Sequence, residues 1–431
     1  MTESLCRIAA SLKPTTHIGP TPLLTMVQNK VKDTRRPGMP GWFGPGYTPK
    51  AARRPTNPPK QAALPPHHSP IRLELQQLLL NIFRDTYAPL LISDELSPTL
   101  QEIKTALFER DFARAFGAQK YLEVYAARWS PGRALCYASV LIELREHLDN
   151  FDMFARGTKR KAGDQDGGDK GSEAAATRIV SLGGGAAEVV AVGGALRYLL
   201  NGLRPSPSDS SASPVEAESI PDTTTEEETA APLLCDLHLV DTADWAPTAT
   251  TLTTALTSPP TLSPHASARA RAAAKPLIPG TIISTTFHQH DAIALTSTQL
   301  ADIVSPEPCI VTLFFTLNEL FTASTARTTA LLLSLSALAP GSVIIVIDSP
   351  GSYSEAAVGV EGGEKRKYPM AWLLDHALLS QKIVGEEGGE GKAQWEKLLG
   401  EEARWFRLSE KLKYPIQLED MRFQVHVYKR L

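Results

Sequence analysis

The sequence predicts an α/β protein: a mostly parallel β-sheet covered by helices on both faces, closed by an antiparallel last strand, and preceded by a helical region and a basic arm. Three observations carry this. From residue 178 onward, apolar strand-like runs alternate with helical stretches, and apolar strands between helices belong to parallel sheets buried on both sides. The first of these runs ends in three consecutive glycines that lead into a helix. Helical periodicity without strand signals begins abruptly at residue 71, after a segment with no periodicity.

The chain has 431 residues, long enough for two or three domains, and its 42% hydrophobic and 21% charged residues suffice for a sizeable core. The four cysteines (Cys6, Cys136, Cys235, Cys309) form no CxxC pair, which argues against a disulfide framework or a structural zinc site. No metal is expected. No apolar run reaches the roughly 18 residues of a membrane span, and the start lacks a secretory apolar core, so a reducing intracellular compartment is expected. The net charge of −3 hides an asymmetry: residues 1–70 hold ten Lys/Arg against two Asp/Glu, together with 13 of the 33 prolines. Such a segment cannot bury enough apolar surface to offset its ordering entropy, so 1–70 reads as a disordered basic arm, either a solvated tail or an RNA contact.

The elements follow in order. Leu75, Leu78, Leu79, Ile82 and Phe83 fall on one helix face. Ser97-Pro98 and Ser130-Pro131 read as helix starts, with Gly117 closing the helix between them. Residues 71–156 therefore form a helical region, in which Lys120, Tyr121, Tyr125, Arg128, Trp129 and Arg133 interleave bases with aromatics; packing with a solvated face is the stronger reading, RNA contact the weaker. Residues 157–177 are a linker by composition, and 178–431 form the α/β domain. Strands are expected at 178–182, 233–240, 282–288, 309–316 and 342–348, and helices at 187–200, 297–303 and 326–338. Residues 203–231 and 247–275, rich in Ser, Thr, Pro and Ala, read as low-complexity surface insertions. Helices are expected at 369–380 and 392–399 and a strand at 404–408. Phe423, Val425 and Val427 alternate with Gln424, His426 and Tyr428, a last strand with two unlike faces that suits an antiparallel closure.

A strand running into Gly183-Gly184-Gly185 and then a helix is the ligand-site unit of open α/β sheets, where the ligand lies at the carboxyl ends of the strands. The dinucleotide pattern fails because Glu188 occupies the third glycine position, and no Gly-Lys-Ser/Thr follows for a phosphate loop. S-adenosylmethionine (SAM) remains, against a structural turn with no ligand. Other strand ends also carry polar groups. Asp241 ends the second strand, where a carboxylate can accept both ribose hydroxyls; it lies 58 residues beyond Gly183, or 29 without the segment 203–231. Asp291 follows the third strand, Asn318 and Glu319 the fourth, and Asp348 ends the fifth.

The elements LELQQLLLNIFRDTY (73–87), RWSPGRAL (128–135), VSLGGGAAE (180–188), FTLNELF (315–321), VIDSPGSYSE (346–355) and KYPMAWLLDH (367–376) resemble the fungal 25S ribosomal RNA uridine-N3 methyltransferases, SAM-dependent enzymes of the class I, Rossmann-like type. The resemblance covers 71–431 apart from the insertions. It implies SAM contacts at Ser181, Gly183, Gly184 and Gly185, ribose binding at Asp241 and adenine binding at Asp291, with Asn318 and Glu319 at the methyl-transfer end. Ser181 stands where class I enzymes commonly carry an acid, two positions before the first glycine, so another carboxylate is expected to hold the methionine amino group.

The implied reaction is methyl transfer to N3 of a uridine in large-subunit rRNA. N3 carries a proton at neutral pH, so a general base is expected, Glu319 first and Asp348 second. In a duplex N3 faces its pairing partner, so the base must be unpaired or flipped out and stacked. Tyr353, Tyr368 and Arg133 are the candidates for substrate binding, with Trp372 beside them as core packing. The expected partner is 25S rRNA or a pre-ribosomal particle, met by a monomer, away from membranes, in the nucleus or nucleolus, with the cytoplasm as alternative. The competing functions are a non-catalytic assembly factor with a vestigial SAM site, and a methyltransferase acting on a protein or small molecule.

Overall fold

The computed structural model describes residues 69–155, 176–202, 232–262, 265–350, 355–358, 366–383 and 392–431. Nearly all of the expected arm, most of the linker and the expected insertion 203–231 lie outside the described residues.

Helices α1 (Leu73–Thr86), α2 (Leu96–Phe108), α3 (Gln119–Arg128) and α4 (Ser130–Glu143) come first. Helix α1 buries Leu75, Leu79, Leu80 and Phe83, whereas Leu78 is exposed. Ser97 and Ser130 are helical rather than capping: α2 begins at Leu96 and α4 at Ser130, with Pro131 in its first turn, where a missing N–H costs nothing. A seven-stranded sheet follows, with strands β1 (Thr177–Leu182), β2 (Cys235–Asp241), β3 (Ile283–Gln289), β4 (Ile310–Phe314), β5 (Val343–Asp348), β8 (Trp395–Phe406) and β9 (Met421–Arg430), in the order β8-β9-β5-β4-β1-β2-β3. Strands β1 to β5 pair in parallel, and β9 runs antiparallel to both β5 and β8. The order turns back at β1, between β2 and β4. That is the switch point at which such sheets open a crevice for a ligand.

Strand alternation divides the core. Ile179, Ile345, Ile347, Val425 and Val427 face α1 to α4 together with α5 (Ala186–Gly202) and α6 (Ala246–Thr257). Val180, Leu182, Ile344 and Val346 face α7 (Ser297–Ile303), α8 (Leu317–Ala323), α9 (Thr325–Ser334) and α10 (Met370–Leu379). The N-terminal helices are thus one layer of the sheet's own core. Helix α4 is buried over nearly its whole length and packs against α5 and the sheet, with Tyr137 4.6 Å from Phe314.

Two expectations are corrected. Residues 247–275 are not a surface insertion throughout. Ala246–Thr257 is helical and buries Thr248, Ala249, Leu252 and Leu256, and Leu256 packs so closely on Gly193 that a Cβ there would lie 2.8 Å from its Cδ1. Its threonines mimic loop composition, yet Thr251, Thr254 and Thr257 donate their hydroxyls to carbonyls four residues back, which satisfies them inside a helix. Residues 392–399 are not helical either: strand pairing occupies Lys392–Ala393 and Trp395–Phe406, the latter long, bulged and at the sheet edge. Its outward residues are helix formers by type, but pairing with β9 decides the conformation.

A mutation distinguishes the packed helix from an insertion. Leu256→Ala is expected to cost about 2–5 kcal/mol in urea unfolding, whereas a substitution in a solvated insertion costs within about 0.5 kcal/mol.

Candidate active site

At the carboxyl ends of β1, β2 and β4 lies a cavity of about 300 Å³. Its floor is the glycine turn. Gly183 has φ +76°, and a Cβ there would lie 2.3 Å from Thr316 Oγ1, so only glycine makes this turn. Gly183 and Gly185 line the cavity, whereas Gly184 faces the core, where a Cβ would meet Ser181 and Leu239. The Gly185 N–H donates to Glu188 Oε2 at 2.8 Å. Glu188, in the first turn of α5, therefore holds the loop while presenting its carboxyl to the cavity, and burial pushes that carboxyl up to about 7. Asp241, at the end of β2, accepts from the Ala243 N–H at 2.8 Å, and burial pushes it up to about 6. Asp291 caps a short turn by accepting from the Ile293 N–H at 3.1 Å, and both residues line the cavity.

The roof comes from the N-terminal helices. Arg133, on α4, is buried at 5% exposure. Its Nη1 donates to the Tyr125 hydroxyl at 2.6 Å, and its guanidinium lies 5.1 Å from the Phe315 ring centroid and 5.6 Å from that of Tyr125. Among the described residues no carboxylate comes within ion-pair distance of it. Phe315 holds φ +55°, rare for a bulky side chain, and its N–H donates to the Ile347 carbonyl at 2.6 Å. That strained turn after β4 delivers the ring to the cavity. Trp245, Tyr137 and Phe116 complete the apolar walls. One unpaired buried cation, several carboxyl groups and aromatic walls suit a ligand that carries both charges and a flat ring.

The sequence-derived residues divide accordingly. Gly183, Gly185, Asp241, Asp291, Arg133 and Glu319 converge on the cavity, Glu319 from the first turn of α8. Ser181 does not: it is buried within the sheet, and its hydroxyl accepts from Thr312 at 2.9 Å. Asp348 is no base at this cavity. It is fully buried, accepts from the Asn318 and Ser349 N–H groups at 2.9 and 2.7 Å, and anchors the start of α8 to the end of β5. Burial raises its pKa even so. Asn318 is buried beside it, off the cavity. Tyr353 lies outside the described residues, and Tyr368 stands on a separate hairpin stacked against Trp372. Sequence reasoning passed over Glu188 as a site residue, taking it only as a departure from a glycine pattern. The available signal was an acid three residues after Gly185, placed to cap the helix start.

Residues 83–429 match the model of a family described as "Putative SAM-dependent methyltransferase", and the chain belongs to that family. It is 28% identical over 382 residues to the 25S rRNA (uridine(2843)-N(3))-methyltransferase of Saccharomyces cerevisiae, covering 86% of this chain and 90% of the relative. Among solved structures, the CurJ carbon methyltransferase (12% identity, TM-score 0.28, 83% of this chain and 70% of that one) and a DhpI–SAH complex (12% identity, TM-score 0.24, 69% and 97%) are similar at scores too low to carry weight.

Two outcomes follow for the cofactor. Glu188 has a folded-state pKa near 7 against a usual 4.5, so the folded chain binds protons more tightly than the unfolded one and loses stability as pH rises between these values. The melting temperature without ligand should fall over that range, and Glu188→Gln should flatten the fall. The gain from added SAM should instead grow with pH, as the carboxylate forms. Arg133→Met should weaken SAM binding about ten- to a hundredfold by calorimetry without lowering the ligand-free melting temperature, since the charge it removes has no carboxylate at ion-pair distance among the described residues; Gly185→Val, which puts a branched side chain on the cavity floor, should abolish binding.

Proposed function

We propose that this SAM-dependent methyltransferase acts on N3 of a uridine in large-subunit ribosomal RNA. The observation that carries the reading is the likeness to the yeast rRNA uridine-N3 enzyme along nearly the whole of both chains, combined with a cavity whose charges fit SAM. In this assignment Arg133 holds the methionine carboxylate, Glu188 the amino group, Asp241 the ribose hydroxyls and Asp291 the adenine. Glu188 thus takes the role expected of an acid near the glycine turn.

SAM supplies an electrophilic methyl on a sulfonium whose thioether is a good leaving group. The chain has to align the acceptor and free its lone pair. Glu319 stands on the cavity wall at the start of α8. Its carboxylate would take the N3 proton, freeing the N3 lone pair for the methyl that SAM would supply. The uridine leaves its stack to reach the site. An enzyme acting on large-subunit rRNA during subunit assembly is expected in the nucleus or nucleolus, with 25S rRNA or a pre-ribosomal particle as its partner.

The direct test is nucleoside mass spectrometry of 25S rRNA from cells with and without the gene; loss of one N3-methyluridine is expected, and an unchanged profile would exclude this acceptor. Glu319→Gln should lower the single-turnover rate by about a hundred- to ten-thousandfold with SAM affinity unchanged, and raising the pH should restore part of it. Asp348→Asn should act differently, lowering stability by about 1–3 kcal/mol by spoiling a buried acceptor of two N–H groups.

A further inference from the structure

One exposed feature outside the cavity has no role in packing. Helix α10 buries Met370, Leu374, Ala377 and Leu378, yet its outer side carries Trp372, 48% exposed, and His376 one turn on. These rings stack with centroids 5.2 Å apart and planes 3° from parallel. Tyr368 also stacks on Trp372, at 4.8 Å and 20°. Three rings at spacings of four residues, running from a strand into a helix, form a ladder that ends at an exposed histidine.

The ladder stands near the reaction site. Tyr368 lies on strand β7 (Arg366–Pro369), which pairs with β6 (Glu355–Val358), and β6 packs against α8. Helix α8 in turn supplies Glu319, Leu320 and Ala323 to the cavity wall. Among the described residues the local charge does not oppose an anionic strand. Asp375, between Trp372 and His376, is neutralised by Lys397 at 2.8 Å and accepts from the Tyr428 hydroxyl at 2.7 Å.

We propose that the Tyr368–Trp372–His376 ladder is a stacking platform for single-stranded RNA flanking the target base. This rests on the RNA reading above. A base stacked on the end of the ladder extends it by one more plane. Base–aromatic stacking of this kind tolerates sequence and needs an unpaired strand. The platform would thus select an acceptor whose neighbours are already unpaired, before the target itself is drawn into the cavity.

The test uses the full chain and fluorescence anisotropy with a short uridine-rich single strand and with a duplex of similar length. Trp372→Ala and His376→Ala should weaken single-strand binding roughly five- to a hundredfold, leave duplex binding and SAM affinity unchanged, and barely move the melting temperature. Trp372→Phe should retain most of the affinity. If the alanine variants bind the single strand and methylate rRNA as the wild type does, the platform is wrong and the RNA reading stands. If they keep RNA binding but lose association with pre-ribosomal particles, the ladder docks protein and the proposal fails. If wild-type protein binds SAM but no RNA, both readings fall together.

Discussion

The structure turns on a guanidinium held out of water with, among the described residues, no carboxylate at ion-pair distance. Burying a charge is costly unless it is paired. Among the described residues Arg133 meets a tyrosine hydroxyl and two aromatic rings, with Glu188 attracting it from beyond ion-pair distance. That arrangement exists because α4 is buried along nearly all of its length, which requires other helices over its outer side. The N-terminal layer is therefore a condition of the site. It supplies the low-polarity roof under which an anionic ligand group gains more from Arg133 than it would in water.

The acids show the same economy of placement. Asp348 and Glu188 both accept backbone N–H groups at the start of a helix or turn. Asp348 directs both oxygens to such donors and is sealed in the sheet, so it is a structural clamp between β5 and α8. Glu188 gives one oxygen to Gly185 and still lines the cavity. Its raised pKa reflects a carboxyl kept from water without a cation at ion-pair distance. A ligand that brings an ammonium group supplies that cation and stabilises the ionised form. Arg133 and Glu188 are thus complementary incomplete sites, each calling for the charge opposite to its own.

What was legible in the sequence followed strong local signals. Apolar strands separated by helices, a glycine turn and an alternating final strand have few competing readings, and β1 to β5 and β9 lie where those signals stand. Polar residues at strand ends led to Asp241, Asp291 and Glu319 for the same reason, since the sheet's carboxyl edge is where parallel strands converge. The failures lie where a local pattern is overruled by something distant. The threonine-rich helix at 246–257 is held by Leu252 and Leu256 against α5 and the sheet. The edge strand at 395–406 is fixed by its pairing with a segment some twenty residues later. Ser181 was placed by spacing from the glycines, but strand alternation turns its side chain under the sheet toward Thr312. Arg133 was legible as a basic residue among aromatics, yet its burial inside the cavity roof depends on four helices folding onto the sheet.

The division of labour follows from the topology. The order of strands reverses at β1, so the crevice opens over β1, β2 and β4, and the glycine turn fixes the cofactor end there. Everything after β4 is built outward from that point: α8 with Glu319 on the wall, then the hairpin that packs on α8, then the ring-bearing helix α10. The cavity's lining is drawn from the buried first half of the sheet and its roof, where positions are over-determined by packing. The exposed rings Trp372 and His376 lie on the helix beyond β5. A cavity of about 300 Å³ has no room for a polymer. On the proposed RNA reading only a single base enters, and the strand that carries it stays on the surface outside the cavity.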